Sequence, residues 1–178
     1  MEFDKSKPFL VTGANGYLAS HLIKSLLKRG YKVRGTVRSL AKKERYEYLT
    51  NLDAEHKNNL DFVEADLSDE KSWEKAVQGI DYIFHVASPI PPYVPEDENE
   101  IIIPAVNGTK FVLQAAINAG VKKVVVTSST LAVWFGNQDK VVDETMWSDT
   151  NKCSHYPKSK TLAEKASWEF YEKNKDKI

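Results

Sequence analysis

Tyr156 and Lys160 stand four residues apart in Tyr156-Pro-Lys-Ser-Lys160, and on a helix that interval sets a phenol and an ammonium on one face. Reduction of a carbonyl needs a hydride on one face of the C=O and a proton at the oxygen as negative charge develops there. Tyr156 can give the proton, because a neighbouring cation favours the phenolate it leaves behind, and Lys160 is that cation. Ser129, with Ser128 as the second choice, closes an apolar run and can hydrogen-bond the oxygen, orienting the carbonyl and stabilising an alkoxide. A purely architectural reading has the serines end a strand and Tyr156 staple a helix entry, with Pro157 in the first turn. It requires three independent features to coincide, and the chemical reading is preferred. His85 and His155 read as structural.

A hydride donor needs its own site. Gly13 and Gly16, in Thr12-Gly-Ala-Asn-Gly16, lie between a buried strand and an amphipathic helix. Missing side chains there let backbone N–H groups and the positive helix end approach a pyrophosphate, and Ala19 can take the close-packing part of a third glycine. The spacing is G-x-x-G-x-x-A rather than G-x-G-x-x-G, so the context carries the reading. An NAD site would put a carboxylate near the end of the second strand, but here stands Arg38, followed by Lys42 and Lys43. A guanidinium suits a 2′-phosphate, so NADP is expected. Asp66 and Leu67 follow the third strand and Val86-Ala-Ser88 the fourth, at heights where adenine and nicotinamide ribose would lie; Asp66 could equally cap a helix.

The elements that must hold these residues alternate along the chain. A strand at Phe9–Val11 leads through the glycine turn to a helix with Leu18, Leu22, Ile23, Leu26 and Leu27 on one stripe, closed by Gly30. Period-two alternation predicts a strand over 31–37, a polar helix follows over 40–52, and a third strand spans 60–64. A helix over 72–77, a strand over 82–86, a helix over 101–119 and a strand over 121–127 continue the pattern, and the helix carrying Tyr156 and Lys160 runs over 157–173. Such alternation implies parallel strands with right-handed crossovers: an α/β, doubly wound, Rossmann-type sheet in the order 3-2-1-4-5. The segments 89–95 and 131–153 break the rhythm after strands four and five, where ligands of such sheets bind.

The chain has 178 residues, enough for one domain with a sizeable core. Lys plus Arg and Asp plus Glu balance at 25 each, so no global field attracts nucleic acid or an anionic membrane. Cys153 is a lone cysteine, the start Met1-Glu-Phe-Asp-Lys5 lacks a signal-peptide plan, and no apolar run nears the roughly 20 residues of a membrane span. A cytoplasmic, soluble protein is expected, with no metal called for.

The ordered set Thr12-Gly-x-x-Gly16-Tyr-x-Ala19, Val33-Arg-Gly-Thr-Val-Arg38, Asp66-Leu67, Phe84-His-Val-Ala-Ser88, Val126-Thr-Ser-Ser129 and Tyr156-x-x-x-Lys160-Thr-Leu-Ala-Glu164 resembles an extended short-chain dehydrogenase/reductase, of the epimerase/dehydratase superfamily. Within it the chain is most similar to the branch of dihydroflavonol reductases, cinnamoyl-CoA reductases and fungal NADPH-dependent aldehyde and ketone reductases. The resemblance implies Ser129, Tyr156 and Lys160 as catalytic residues, Lys160 also holding nicotinamide ribose. Around NADP it implies Gly13, Asn15, Gly16, Tyr17, Arg38 and Lys42. It adds Asp66, Leu67, Val86 and Ala87, together with Tyr156 and Lys160 themselves. Where dihydroflavonol reductases carry a polar residue beyond the catalytic serine, this chain has Trp134, which does not support a polyphenol substrate. Family members continue with a sixth strand and a substrate-binding region, so residues 1–178 are expected to be one NAD(P)-binding domain with much of the pocket missing.

The expected activity is NADPH-dependent reduction of an aldehyde or ketone to an alcohol, with Tyr156 as proton donor. A sugar-nucleotide epimerase or dehydratase uses the same Tyr and Lys but would favour an acid in place of Arg38; a non-catalytic NADP-binding module would not need Tyr156. A homodimer is left open.

Overall fold

The computed structural model describes residues 3–53 and 58–177. Five short strands, β1 (Phe9–Val11), β2 (Val33–Val37), β3 (Leu60–Glu64), β4 (Tyr82–His85) and β5 (Lys123–Val126), pair in parallel in the order β3-β2-β1-β4-β5. The expected doubly wound sheet is the one found. Leu10 lies beside Arg34 and Ile83, Val11 beside Gly35 and Phe84, and His85 beside Val126. The carboxyl ends of the three strands β1, β4 and β5 therefore finish at one level, with the order reversing between β1 and β4, where this kind of sheet opens a crevice.

Side chains of a strand alternate between faces, and here each face has its own core. Leu10, Val63 and Ile83 pack with Trp73, Val77, Val112 and Ala116 on one side. Phe9, Val11 and Val33 pack with Ile23, Leu26, Leu27, Tyr46 and Leu49 on the other. The helices responsible are α1 (Tyr17–Lys28) on the second side and α2 (Ser72–Ala76) with α3 (Asn99–Asn118) on the first. Two more, α4 (Leu131–Trp134) and α5 (His155–Asn174), follow β5, and α5 packs along α3 and α4. At the end of α1 the N–H groups of Arg29, Gly30 and Tyr31 return to Leu26 and Leu27, with Gly30 at φ +77°, a left-handed stop that glycine makes without strain.

The structure corrects two expectations. Residues 40–52 do not form an α-helix but two 3-10 segments, Lys43–Arg45 and Glu47–Asp53. The reason is the spacing of the side chains that reach the core: Tyr46 and Leu49 are three apart and buried, which suits three residues per turn. The segment after β5 is not all loop either. It begins with α4, and Ser148 folds the chain back onto it by donating to the Leu131 carbonyl (2.8 Å) and accepting from the Phe135 N–H (2.9 Å). Other boundaries differ by one or two residues, as helix and strand ends do. Among the described residues no helix is long and apolar enough to cross a membrane.

Candidate active site

The glycine turn is built for close approach. Gly13 sits at φ +68°, and a Cβ there would lie 3.1 Å from the Ala87 Cβ, so both the conformation and the space exclude a side chain. Its N–H donates to Thr36 Oγ1 at 2.9 Å, and Gly16 N–H returns to the Gly13 carbonyl at 2.8 Å. The turn also lies flat on β2, since a Cβ on Gly35 would come within 2.7 Å of the Ala14 Cβ. α1 starts after Gly16 with no side-chain cap and no acid in its first turn. Its first N–H groups and its positive end are thus left for an anionic group. The Asn15 carbonyl accepts from the Tyr48 hydroxyl at 3.2 Å, and the exposed Tyr17 ring meets His21 edge-on at 4.7 Å.

Beside this turn, past the end of β2, opens a cleft of about 210 Å³ lined by Asn15, Val37, Arg38, Ser39, Lys42, Arg45 and Tyr46. Three cations and no acid line it, with all three cations exposed to solvent. Asp66 lies outside it: its Oδ1 takes the N–H and hydroxyl of Ser68, an Asx turn. Burial works against its ionisation, yet the Ser68 bonds and the Arg38 charge hold its carboxyl below the usual range. Leu67 fills the space that a Cβ on Gly108 would need, 2.6 Å from its Cδ2, and packs on the core.

On the other side of the turn lies a crevice of about 10 Å³, bordered by His85, Ala87, Ser88, Thr127, Ser128, Lys160 and Glu164 among others. Lys160 is 7 % exposed, and its Nζ donates to the Thr127 carbonyl at 2.8 Å. Burial presses its pKa down, and the Glu164 charge one turn along opposes this. Glu164 in turn accepts from the Ser128 hydroxyl and, at 3.4 Å, from Trp168 Nε1. Ser129 Oγ accepts from the Leu131 N–H at 3.2 Å, a contact that leaves its hydroxyl hydrogen available.

Residues 10–174 match the 3-beta hydroxysteroid dehydrogenase/isomerase family. The chain belongs to that family. Among its relatives it is 44 % identical to "Cinnamoyl-CoA reductase 1" of Arabidopsis thaliana over 92 % of this chain and 48 % of the relative. It is 40 % identical to "Anthocyanidin reductase ((2S)-flavan-3-ol-forming)" of Vitis vinifera over 94 % of this chain and 52 % of the relative. Of solved structures it resembles the yeast methylglyoxal/isovaleraldehyde reductase Gre2 complexed with NADPH, with a TM-score of 0.82, 34 % identity and coverage of 96 % and 54 % of the two chains. Vestitone reductase from alfalfa gives 0.78, 40 %, 95 % and 54 %. The chain spans about half the length of these relatives. The motif resemblance thus recurs, with a cinnamoyl-CoA reductase among the relatives and a fungal reductase among the solved structures.

Set on this family frame, Gly13, Gly16, Asn15, Arg38 and Lys42 gather at the turn and the cation cleft, whereas Ala87 abuts Gly13 and Lys160 borders the narrow crevice. Val86 gives its N–H to Thr12 Oγ1 at 2.9 Å. Ser129 and Tyr156 are not among the crevice residues; Ser128 is. The sequence reading missed Arg45, which falls three residues after Lys42 and so comes round to the same side of a 3-10 turn. It also missed the Lys158–Glu98 ion pair at 2.7 Å, which ties the first turn of α5 to the start of α3 across 60 residues. No local pattern in the sequence announces such a pair.

Proposed function

We propose that residues 1–178 form the NADP-binding domain of a reductase that converts a small aldehyde or ketone to an alcohol. One observation carries the reading: the carboxyl edge of the sheet holds an acid-free cleft of three cations on one side of a glycine turn and a buried lysine on the other. The missing Cβ of Gly13, the uncapped start of α1 and the Arg38, Lys42 and Arg45 cleft fit a dinucleotide with a 2′-phosphate. NADPH in the related yeast reductase supports the same choice.

In this reading Arg38, Lys42 and Arg45 neutralise the 2′-phosphate, and the backbone around Gly13 and Gly16 receives the pyrophosphate. The nicotinamide supplies the hydride. Lys160 spends one donor on Thr127 and has two left, one for a ribose hydroxyl and one to favour the phenolate of Tyr156. Tyr156 passes its proton to the carbonyl oxygen, and Ser129, whose hydroxyl hydrogen is uncommitted, orients that oxygen. Ser128 serves Glu164 instead. Trp134 stands where dihydroflavonol reductases carry a polar residue and is exposed at the end of α4, in line with an aldehyde or ketone of modest polarity.

The test has two parts. NADPH and NADH are titrated into the chain, and loss of reduced-cofactor absorbance is followed with a panel of aldehydes and ketones in the chain joined to the C-terminal half of the yeast relative. Tighter binding of NADPH and consumption with at least one carbonyl compound are expected. Equal binding of both cofactors, or no consumption across the panel, would overturn the reading.

A further inference from the structure

Thr12 and His85 close the ends of the two strands between which the order of the sheet reverses. Thr12 is fully buried and His85 is 3 % exposed. Thr12 Oγ1 lies 2.9 Å from the N–H of Val86, 2.9 Å from the N–H of Ala87 and 3.0 Å from His85 Nδ1. A hydroxyl has one hydrogen and two lone pairs. The two backbone donors occupy the lone pairs, so the hydrogen must go to the ring, and His85 Nδ1 must accept it. That requires a neutral imidazole with its hydrogen on Nε2. A protonated ring would turn Nδ1 into a donor facing an oxygen with nothing left to offer.

The consequences reach both halves of the site. Ala87, placed by the Thr12 bond, is the residue that a Cβ on Gly13 would strike. The His85 carbonyl accepts from Thr127 N–H at 2.9 Å, and the Thr127 carbonyl accepts from Lys160. A continuous chain of hydrogen bonds and backbone thus runs from the glycine turn through His85 to the buried lysine. We propose that His85 is a positioning residue: as the neutral Nε2–H tautomer it directs the Thr12 hydroxyl so that the exits of β1 and β4 stay locked beneath the cofactor.

The surroundings of His85 agree. Burial, then the Lys160 charge, pull its pKa down to about 4. Across the crevice the charged groups facing it are Lys160 and Glu164, both from α5. β5 with the two residues after it and α3 contribute only neutral residues there, Val126 to Ser128, Ala105 and Thr109, and the contact from α2 is the Trp73 ring, edge-on at 6.2 Å. No carboxylate therefore pairs with the imidazole among the described residues.

The inference rests on the cofactor reading only for its binding arm. Its first arm is independent of ligand: ring ¹⁵N spectra of the chain distinguish the two tautomers and the cation. His85 should be neutral with hydrogen on Nε2 down to about pH 5.5, well below where an ordinary histidine takes up its proton. A hydrogen on Nδ1, or a cationic ring at about pH 6, overturns the proposal. The second arm compares NADPH binding by His85→Asn, whose amide oxygen can stand where Nδ1 accepts, and His85→Leu, which cannot accept. Leu should weaken NADPH about tenfold and Asn by less than about threefold, because without an acceptor for its hydrogen the Thr12 hydroxyl no longer holds the N–H groups of Val86 and Ala87 in one orientation. Equal losses, or no loss with Leu, overturn it. If the parent chain binds no NADPH at all, the cofactor reading falls while the ring spectra still decide the role of His85; should the Leu variant not fold, the spectra and the Asn variant decide it.

Discussion

The glycine turn has positive side chains on both sides, and they live in opposite conditions. Arg38, Lys42 and Arg45 stand exposed around an open cleft of about 210 Å³. Lys160 is 7 % exposed beside a crevice of about 10 Å³, with one backbone carbonyl as its hydrogen-bond partner. Exposed cations act through a field that salt screens. A buried ammonium holds its charge only against desolvation, and here Glu164 works on its behalf. In the function proposed above the same kind of charge serves recognition on one side and proton chemistry on the other, and solvation makes the difference.

The sharpest way to separate the two sides is Tyr156→Phe. Removing the phenolic proton should cut turnover of the chain joined to a relative's C-terminal half by about 10² to 10⁴-fold, while NADPH titration of the chain gives close to the parent affinity; undiminished turnover would refute the proton-donor role. Arg38→Ala should do the reverse. NADPH binding should weaken by roughly 1.5–3 kcal/mol, as for hydrogen bonds to charged groups, with NADH barely affected and the loss shrinking in high salt. Calorimetric titration at two ionic strengths reads this, and equal losses for both cofactors would mean that Arg38 serves the fold.

Gly35→Ala probes the floor shared by both sides. Its new Cβ would press on Ala14 at 2.7 Å, so urea unfolding should show about 1–3 kcal/mol of overpacking cost, accompanied by weaker NADPH binding as the turn lifts. Unchanged stability would show that Ala14 yields freely. The smallest expected effect is on pH dependence. Burial lowers the Lys160 pKa and Glu164 raises it, so Glu164→Gln should lower it further. The ammonium is then lost at lower pH, and the alkaline limb of the kcat/KM profile should move to lower pH. Arg38→Ala should leave that limb in place; a shift there, or none in Glu164→Gln, would break the contrast between the two sides.

Much of this was readable from residue order. Apolar triplets such as Phe9–Val11 and the leucine stripe of α1 specify their elements locally, and regular alternation then leaves few topologies. Arg38 and Lys42 announced the cleft because they are close in sequence as well as in space, and Gly13 and Gly16 announced the turn beside it for the same reason. What escaped was set by tertiary contact. Nothing near Gly35 says that Ala14 will lie on it, and nothing near Glu98 points to Lys158. The 3-10 form of residues 43–53 depends on Tyr46 and Leu49 finding the core together. His85 looked structural because a lone histidine in an apolar strand gives no sign of the hydroxyl that will meet its ring.

One feature of the fold bears on how this protein comes apart. The buried positions of α5 are Pro157, Ser159, Lys160, Thr161, Ala163 and Ala166, none of them a large aliphatic or aromatic residue, so the helix gains little from hiding large apolar side chains. Its docking relies on close fit to α3 and on the Lys158–Glu98 tie. The strand β1, by contrast, is wholly buried and bonded on both edges. Regions that hide little apolar surface open first in native-state hydrogen exchange. The amides of α5 should therefore exchange ahead of those of β1, and each such excursion carries Tyr156 and Lys160 away together while the glycine turn stays shut. Mild heat or denaturant should then displace the end that carries Tyr156 and Lys160 while the cation cleft is still whole.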